Sequence, residues 1–263
     1  GLPPGAIYLA CGDSAATDLP DRCVDAVITD PPFYDNVHYS ELADFFHVWQ
    51  SLWLDADGTQ PAATTRTEKE VQDTDAGRFS DKLTGVFGEC HRVLKDDGLL
   101  VFSYHHSRED GWISVAAAVL SAGFKLVQAQ PVKAEMSVAT PKLAAKSPID
   151  LDVLMVCRKA ADDRRPLLPP VDALEAAESA AGDKVARFNH TGRRLSLNDV
   201  RIIVFSQALV ELCAGRKTGD VLPACEPALT DCAAMSQRLF EAQDARQAGP
   251  AATQSRPVQA SLF

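Results

Sequence analysis

Five short apolar runs set the fold of this chain. Residues 6–11, 24–29, 99–104, 125–130 and 152–157 are each bounded by turn residues, among them Gly12-Asp13, Asp30-Pro31-Pro32, Asp97-Gly98 and Gly123. Their nearly continuous apolar character suits strands buried on both faces. Between them lie segments of helical period. Residues 39–54 carry Leu42, Phe45, Phe46, Trp49 and Trp53 on one stripe, which predicts a helix with an aromatic core face. Residues 79–94 do the same with Leu83, Val86, Phe87, Cys90 and Val93, and a third helix runs over 112–122 and stops at Gly123. Strands alternating with helices imply an α/β unit with a mostly parallel sheet and right-handed crossovers.

After residue 160 the character changes. Asp162-Asp163-Arg164-Arg165-Pro166 and Pro169-Pro170 read as a linker. Helical patterns follow at 171–188, 197–214 and 227–243, with Ser196 as N-cap of the middle one and Asp199 at its N3 position. The stretch 247–263 is rich in Ala, Pro, Gln and Ser and reads as a disordered tail. The expected organisation is therefore an α/β unit over 1–160, a helical appendage over 161–246 and the tail. The start, Gly1-Leu2-Pro3-Pro4-Gly5 without a methionine, reads as truncated.

Hydrophobic residues make up 46 % of the chain, enough for a buried core and too many for global disorder. No apolar run approaches a membrane span and no signal peptide is present. The seven cysteines are scattered, with no C-x-x-C pair. That argues against a disulfide framework and a zinc site, and for a reducing cytoplasm. The net charge of -10 is unusual for a phosphate-binding protein acting alone. Charge is uneven, however. Over 125–159, Lys125, Lys133, Lys142, Lys146, Arg158 and Lys159 outnumber Glu135, Asp150 and Asp152. That stretch could face a phosphate backbone, or be a solvated surface.

The chemistry-bearing feature is the run that ends in Asp30-Pro31-Pro32-Phe33. Ligands of open α/β sheets bind beyond the carboxyl ends of the strands, so Asp30 reaches the cleft. The two prolines fix the backbone in extended conformations, and their carbonyls are acceptors on a stiff frame. Phe33 adds an aromatic face. Acceptors beside an aromatic face suit a planar, amine-bearing ring. Such an amine is a poor nucleophile, because its lone pair is delocalised. Two acceptors on its N–H groups, the Asp30 carboxylate and the Pro31 carbonyl, favour a pyramidal nitrogen and stabilise the positive charge of attack. Phe33 would stack on an extruded base. Tyr34, Asn36 and Tyr39 either order the loop over that base or simply pack. His105-His106 lies at a strand end. It reads as polar surface or a phosphate or base contact, and no ligand spacing around it supports a metal.

Asp-Pro-Pro-aromatic after an apolar strand resembles the signature of S-adenosylmethionine-dependent amino-methyltransferases acting on DNA or RNA. A longer string resembles one branch, the large adenine-specific DNA methylases with a DUF1156 region and a zinc-ribbon insertion. It comprises Cys11-Gly12-Asp13-Ser14, 24–37, 39–46, Val48-Trp49, 87–95, 99–102, His105-His106 and the ending Ser261-Leu262-Phe263. The resemblance covers about residues 3–159 well. It implies a partial Rossmann-like methyltransferase sheet, strands 3 to 7, in a family whose order is 3-2-1-4-5-7-6. Residues 6–11 would then be strand 3 and 24–29 strand 4. It implies catalytic roles for Asp30, Pro31, Pro32 and Phe33, and base contacts by Phe33, Tyr34, Asn36 and Tyr39. S-adenosylmethionine would meet Gly12, Asp13 and Asp30, with Asp13 accepting from the cofactor's adenine amino group. Asp13 otherwise reads as a turn aspartate. Two departures stand out. Phe33 replaces the commoner tyrosine, and the glycine-rich cofactor motif is absent. The resemblance therefore implies DNA, or alternatively RNA, as substrate. It also implies a second partner, either the N-terminal half of the same protein or another chain carrying the cofactor motif.

Overall fold

The computed structural model describes residues 5–10, 12–32, 39–56, 62–134 and 149–247. Four strands form one sheet: β1 (Val24–Thr29), β2 (Leu94–Tyr104), β3 (Phe124–Lys133) and β4 (Leu151–Lys159). The helices are α1 (Tyr39–Ala56), α2 (Ala76–Val93), α3 (Glu109–Ser121), α4 (Pro170–His190), α5 (Leu197–Cys213) and α6 (Thr218–Gln247). The strand order is β1-β2-β4-β3. It reproduces the 4-5-7-6 side of the order that the resemblance implies.

Two expectations about the sheet need correction. Only β1 and β2 are parallel; β4 is antiparallel to both β2 and β3. β3 and β4 pair antiparallel along their length, and inserting β4 between β2 and β3 gives two antiparallel ladders. Residues 6–10 form no strand, and Ile7 and Leu9 are 85 % and 88 % exposed. An apolar run becomes a strand only where a neighbour accepts its backbone hydrogen bonds, and none of the described strands lies beside it.

Burial is also one-sided. Leu100, Phe102 and Tyr104 of β2 and Val153, Met155 and Cys157 of β4 alternate with half-buried or exposed residues. The expectation of strands buried on both faces therefore fails, because α2, α3 and α5 cover one face only. On that face Trp112 of α3 is fully buried, edge-on to Tyr104 at 5.1 Å between ring centroids and 6.2 Å from the Phe205 ring of α5. α3 ends at Gly123, whose φ of +86° suits glycine, and its carbonyl accepts from the Ala160 N–H at 2.8 Å.

The C-terminal helices share this core. Phe79, Phe102, Val153, Ile203 and Cys232 belong to one continuous cluster. Ser196 and Asp199 form the expected capping box. Asp199 also accepts the N–H groups of Asp150 and Leu151 at 2.8 and 3.1 Å, which ties α5 to the start of β4. Gln207 donates to the Ala129 carbonyl, and Arg165 to those of Leu126 and Val210. α6 runs through Pro223 and Pro227 and so begins earlier than the expected 227. Most of the expected tail lies outside the described residues.

Not every helix finds a partner. Among the described residues α1 packs substantially against no other helix or strand. Phe45, Phe46, Trp49 and Trp53, expected to be core, are exposed, Trp53 by 78 %. The stripe has the right period, but no helix or strand among the described residues packs substantially against it. The basic stretch is corrected in part too. Lys125 is buried against Asp163, and buried Lys159 donates to the Leu94 carbonyl at 2.8 Å, so neither faces a phosphate backbone. Lys142, Lys146 and Glu135 lie outside the described residues.

Candidate active site

The parallel β1–β2 pair positions the site. Thr29 lies level with Phe102, so the next residues, Asp30 and Ser103, are neighbours at the carboxyl edge. The Ser103 hydroxyl donates to Asp30 Oδ1. Asp30 is exposed, Pro31 is buried and Pro32 half-buried. Buried Pro31 anchors the turn while Asp30 stays open to a ligand, which is what a rigid acceptor frame requires. Phe33, Tyr34 and Asn36 lie outside the described residues.

Tyr39, the first residue of α1, lies near enough to Asp30 to be affected by it. Partial burial raises its phenol pKa first, and the Asp30 charge adds to that. Tyr39 also lines an open cleft of 770 Å³ together with Gly12, Asp13, Ser14, Ser40, Thr65, Lys69 and Glu70. Three residues picked from sequence, Gly12, Asp13 and Tyr39, thus meet in one cleft. Asp13 is fixed as a turn aspartate: its Oδ1 accepts the Ala15 N–H at 2.9 Å and its Oδ2 the Lys69 ammonium at 3.0 Å. The Ala15 N–H first, and then Lys69, hold its carboxyl below the usual range.

Two carboxylates fasten the walls of this cleft. Asp44 of α1 accepts from the Thr65 N–H and hydroxyl, the Thr64 hydroxyl and the Arg66 guanidinium. The Thr65 N–H is the main reason its carboxyl lies far below the usual range. Buried Glu89 of α2 accepts from Arg92 and from the N–H and hydroxyl of Thr17. These donors, Arg92 first, hold it down at about 2. Glu89 thereby pins the segment after Asp13 onto α2.

Beyond Ser103 on the same side of β2, His105 Nδ1 is 2.5 Å from Asp152 Oδ1 on β4. His106 is not surface. It is 4 % exposed, its carbonyl accepts the Trp112 indole N–H at 2.9 Å, and burial lowers its pKa. Gly111 sits so close that an added Cβ would collide with the His106 ring. The His106 backbone and ring therefore serve packing. Among the described residues no cluster could hold a metal ion, and no helix is long and apolar enough to cross a membrane. The described cysteines are free. Burial pushes Cys90 and Cys213 up to about 11, so both are thiols without nucleophilic character at neutral pH.

Sequence reasoning missed Ser103, Lys69 and Asp44. Ser103 was findable in principle, since a polar residue between Phe102 and Tyr104 at a strand's carboxyl end must point away from the core. Lys69 and Asp44 carry no local signal; only the path of the 62–75 loop brings Lys69 to the cleft and Thr64, Thr65 and Arg66 to Asp44.

A family model described as DNA methylase matches residues 24–158, just over half of the chain. The match starts at the first residue of β1 and stops one short of the end of β4, so it spans the whole sheet. No curated protein matches the chain.

Proposed function

The chain belongs to the DNA methylase family of N6/N4 amino-methyltransferases, and on that premise we propose that it methylates adenine N6 of DNA, with Asp30 as the acceptor for the target amine. The observation that carries this is the place of Asp30. It follows the strand of a parallel pair, exposed and oriented by Ser103, with a buried proline behind it. DNA is preferred over RNA because 34–53 resembles the DNA branch, and adenine over cytosine because the longer string that includes it resembles the adenine-specific branch.

In this reading the Asp30 carboxylate and the Pro31 carbonyl accept the two amine N–H groups and stabilise the cation that forms on nitrogen. Phe33 stacks on the flipped base, with Tyr34, Asn36 and Tyr39 around it. Pro31 and Pro32 keep the acceptors from relaxing. S-adenosylmethionine would supply an electrophilic methyl on a sulfonium. Its adenosyl end would lie in this cleft, where Gly12 borders open space and the Asp13 carboxylate, fixed by the Ala15 N–H and Lys69, stands on the wall. No glycine-rich turn for the methionine end occurs in the sequence. We assign that turn to polypeptide preceding this segment or to a partner chain. Ile28 of β1, which is 81 % exposed, exposed Leu154 of β4 and the exposed stripe of α1 support this assignment.

Tritiated methyl transfer to DNA by the complete enzyme, followed by nucleoside analysis, tests the reading. N6-methyladenine is expected; N4-methylcytosine overturns the adenine assignment, and label in RNA alone overturns the substrate. Calorimetry on this chain by itself should show weak S-adenosylmethionine binding. A dissociation constant in the low micromolar range would refute the split between two halves.

A further inference from the structure

We infer that Ser103 is a positioning residue for methyl transfer, holding one oxygen of the Asp30 carboxylate so that the other is presented to the target amine. The inference rests on the role of Asp30 given above.

The backbone of Asp30 is fixed by the prolines after it, but its side chain is not. A carboxylate on an exposed strand end turns freely about its last torsion and offers either oxygen in many directions. The Ser103 hydroxyl donates to Oδ1 and removes that freedom. Oδ2 is then the oxygen left for the substrate. One donor on one oxygen is the smallest arrangement that makes the two oxygens inequivalent.

Ser103 is itself held by the core. Phe102 and Tyr104 on either side are fully buried, so Ser103 faces the open side of the sheet. The Tyr104 hydroxyl donates to the Gly111 carbonyl at 2.9 Å, and its ring packs on Trp112. The strand end that carries Ser103 is thereby locked to α3. On the other flank Leu154 of β4 is level with Ser103 and brings no polar group to compete for its hydroxyl. The next polar side chain along this face, His105, is paired with Asp152. The Ser103 hydroxyl thus meets Asp30 from a fixed direction.

The test compares Ser103→Ala and Ser103→Thr with wild type in the complete enzyme. Alanine should lower kcat about 10- to 100-fold, the range expected for a misplaced reacting group. KM for DNA and for S-adenosylmethionine should stay within about twofold, since ground-state binding does not depend on which oxygen is presented. Threonine keeps the hydroxyl and should restore most of kcat. A role in folding alone would instead lower Tm and leave kcat per folded enzyme unchanged, which overturns the inference. Asp30→Ala separates the two levels. If it abolishes transfer while Ser103→Ala turns over like wild type, only the Ser103 inference falls. If Asp30→Ala retains turnover, the role of Asp30 falls and the inference with it.

Discussion

Two regions of this molecule are written in nearly the same sequence language and have opposite fates. In one, β2, β4 and β3 face α2, α3 and α5, and Trp112, Tyr104, Phe102 and Met155 are fully buried. In the other, residues 6–10, β1 and the stripe of α1 leave Ile7, Leu9, Ile28, Trp49 and Trp53 exposed among the described residues. Both regions have apolar runs of strand length and apolar residues at helical spacing. Periodicity tells which face of an element seeks burial. It does not tell whether anything is there to bury it. Asp30 sits at the seam between these regions. Its backbone is anchored by buried Pro31 and its side chain by Ser103.

The sharpest way to probe that seam is Asp30→Ala. In the complete enzyme it should reduce methyl transfer about a thousandfold, because in the proposed role it removes a charge-stabilising acceptor. Its Tm should hardly move, as the side chain is exposed. A large loss of Tm would mean that Asp30 belongs to the packed side.

Next comes Trp112→Ala, on the packed side. Emptying a fully buried indole should cost about 3–5 kcal/mol in denaturant unfolding. It should also loosen the end of β2 that carries Ser103. A cost comparable to that of an exposed tryptophan would erase the contrast between the two regions.

Glu89 tests the joint between them. Glu89→Gln keeps the shape but removes the charge that Arg92 and Thr17 satisfy, at about 1–3 kcal/mol. The folded-state carboxyl lies at about 2 against an ordinary 4.5. Between those values the unfolded chain binds more protons, so stability rises with pH across the window. The Glu89 contribution is complete above about pH 4.5 and is lost as pH falls through about 2. Acid unfolding curves of wild type and Glu89→Gln should converge toward the acid end; parallel curves would sink the assignment.

The smallest effect belongs to Trp53→Ala. With 78 % of the residue exposed, it should change unfolding free energy by about 0.5 kcal/mol or less in this chain. In the complete enzyme the same substitution should cost distinctly more if the stripe of α1 is covered there. Equal effects in both settings would show that the stripe stays bare.

Much of the architecture was legible because it rests on local chemistry. Val24–Thr29 stops where Asp30-Pro31-Pro32 forbids further pairing, α3 stops at Gly123, and Ser196 with Asp199 starts α5. Each is decided within a few residues by proline geometry, a positive φ or a side-chain cap. The candidate site was legible only as residues in sequence: Asp30 and Asp13 follow apolar runs, and Tyr39 opens a helix. Other features were not local. Lys125 and Lys159 look like surface charges until Asp163 and the Leu94 carbonyl are brought to them. His106 looks like a loop histidine until Trp112 closes over it.

The sequence by itself determined where most elements begin and end, which residues of each are apolar, and that an Asp-Pro-Pro-Phe string follows Val24–Thr29. Only the tertiary structure decided that β4 runs between β2 and β3, that 6–10 stays out of the sheet, that the aromatic stripe of α1 is exposed, and that Ser103 holds Asp30. The division has a physical reason. Torsional preferences and caps act over one turn of chain, whereas burial, pairing and the orientation of a carboxylate depend on neighbours that the chain meets only after it has folded back.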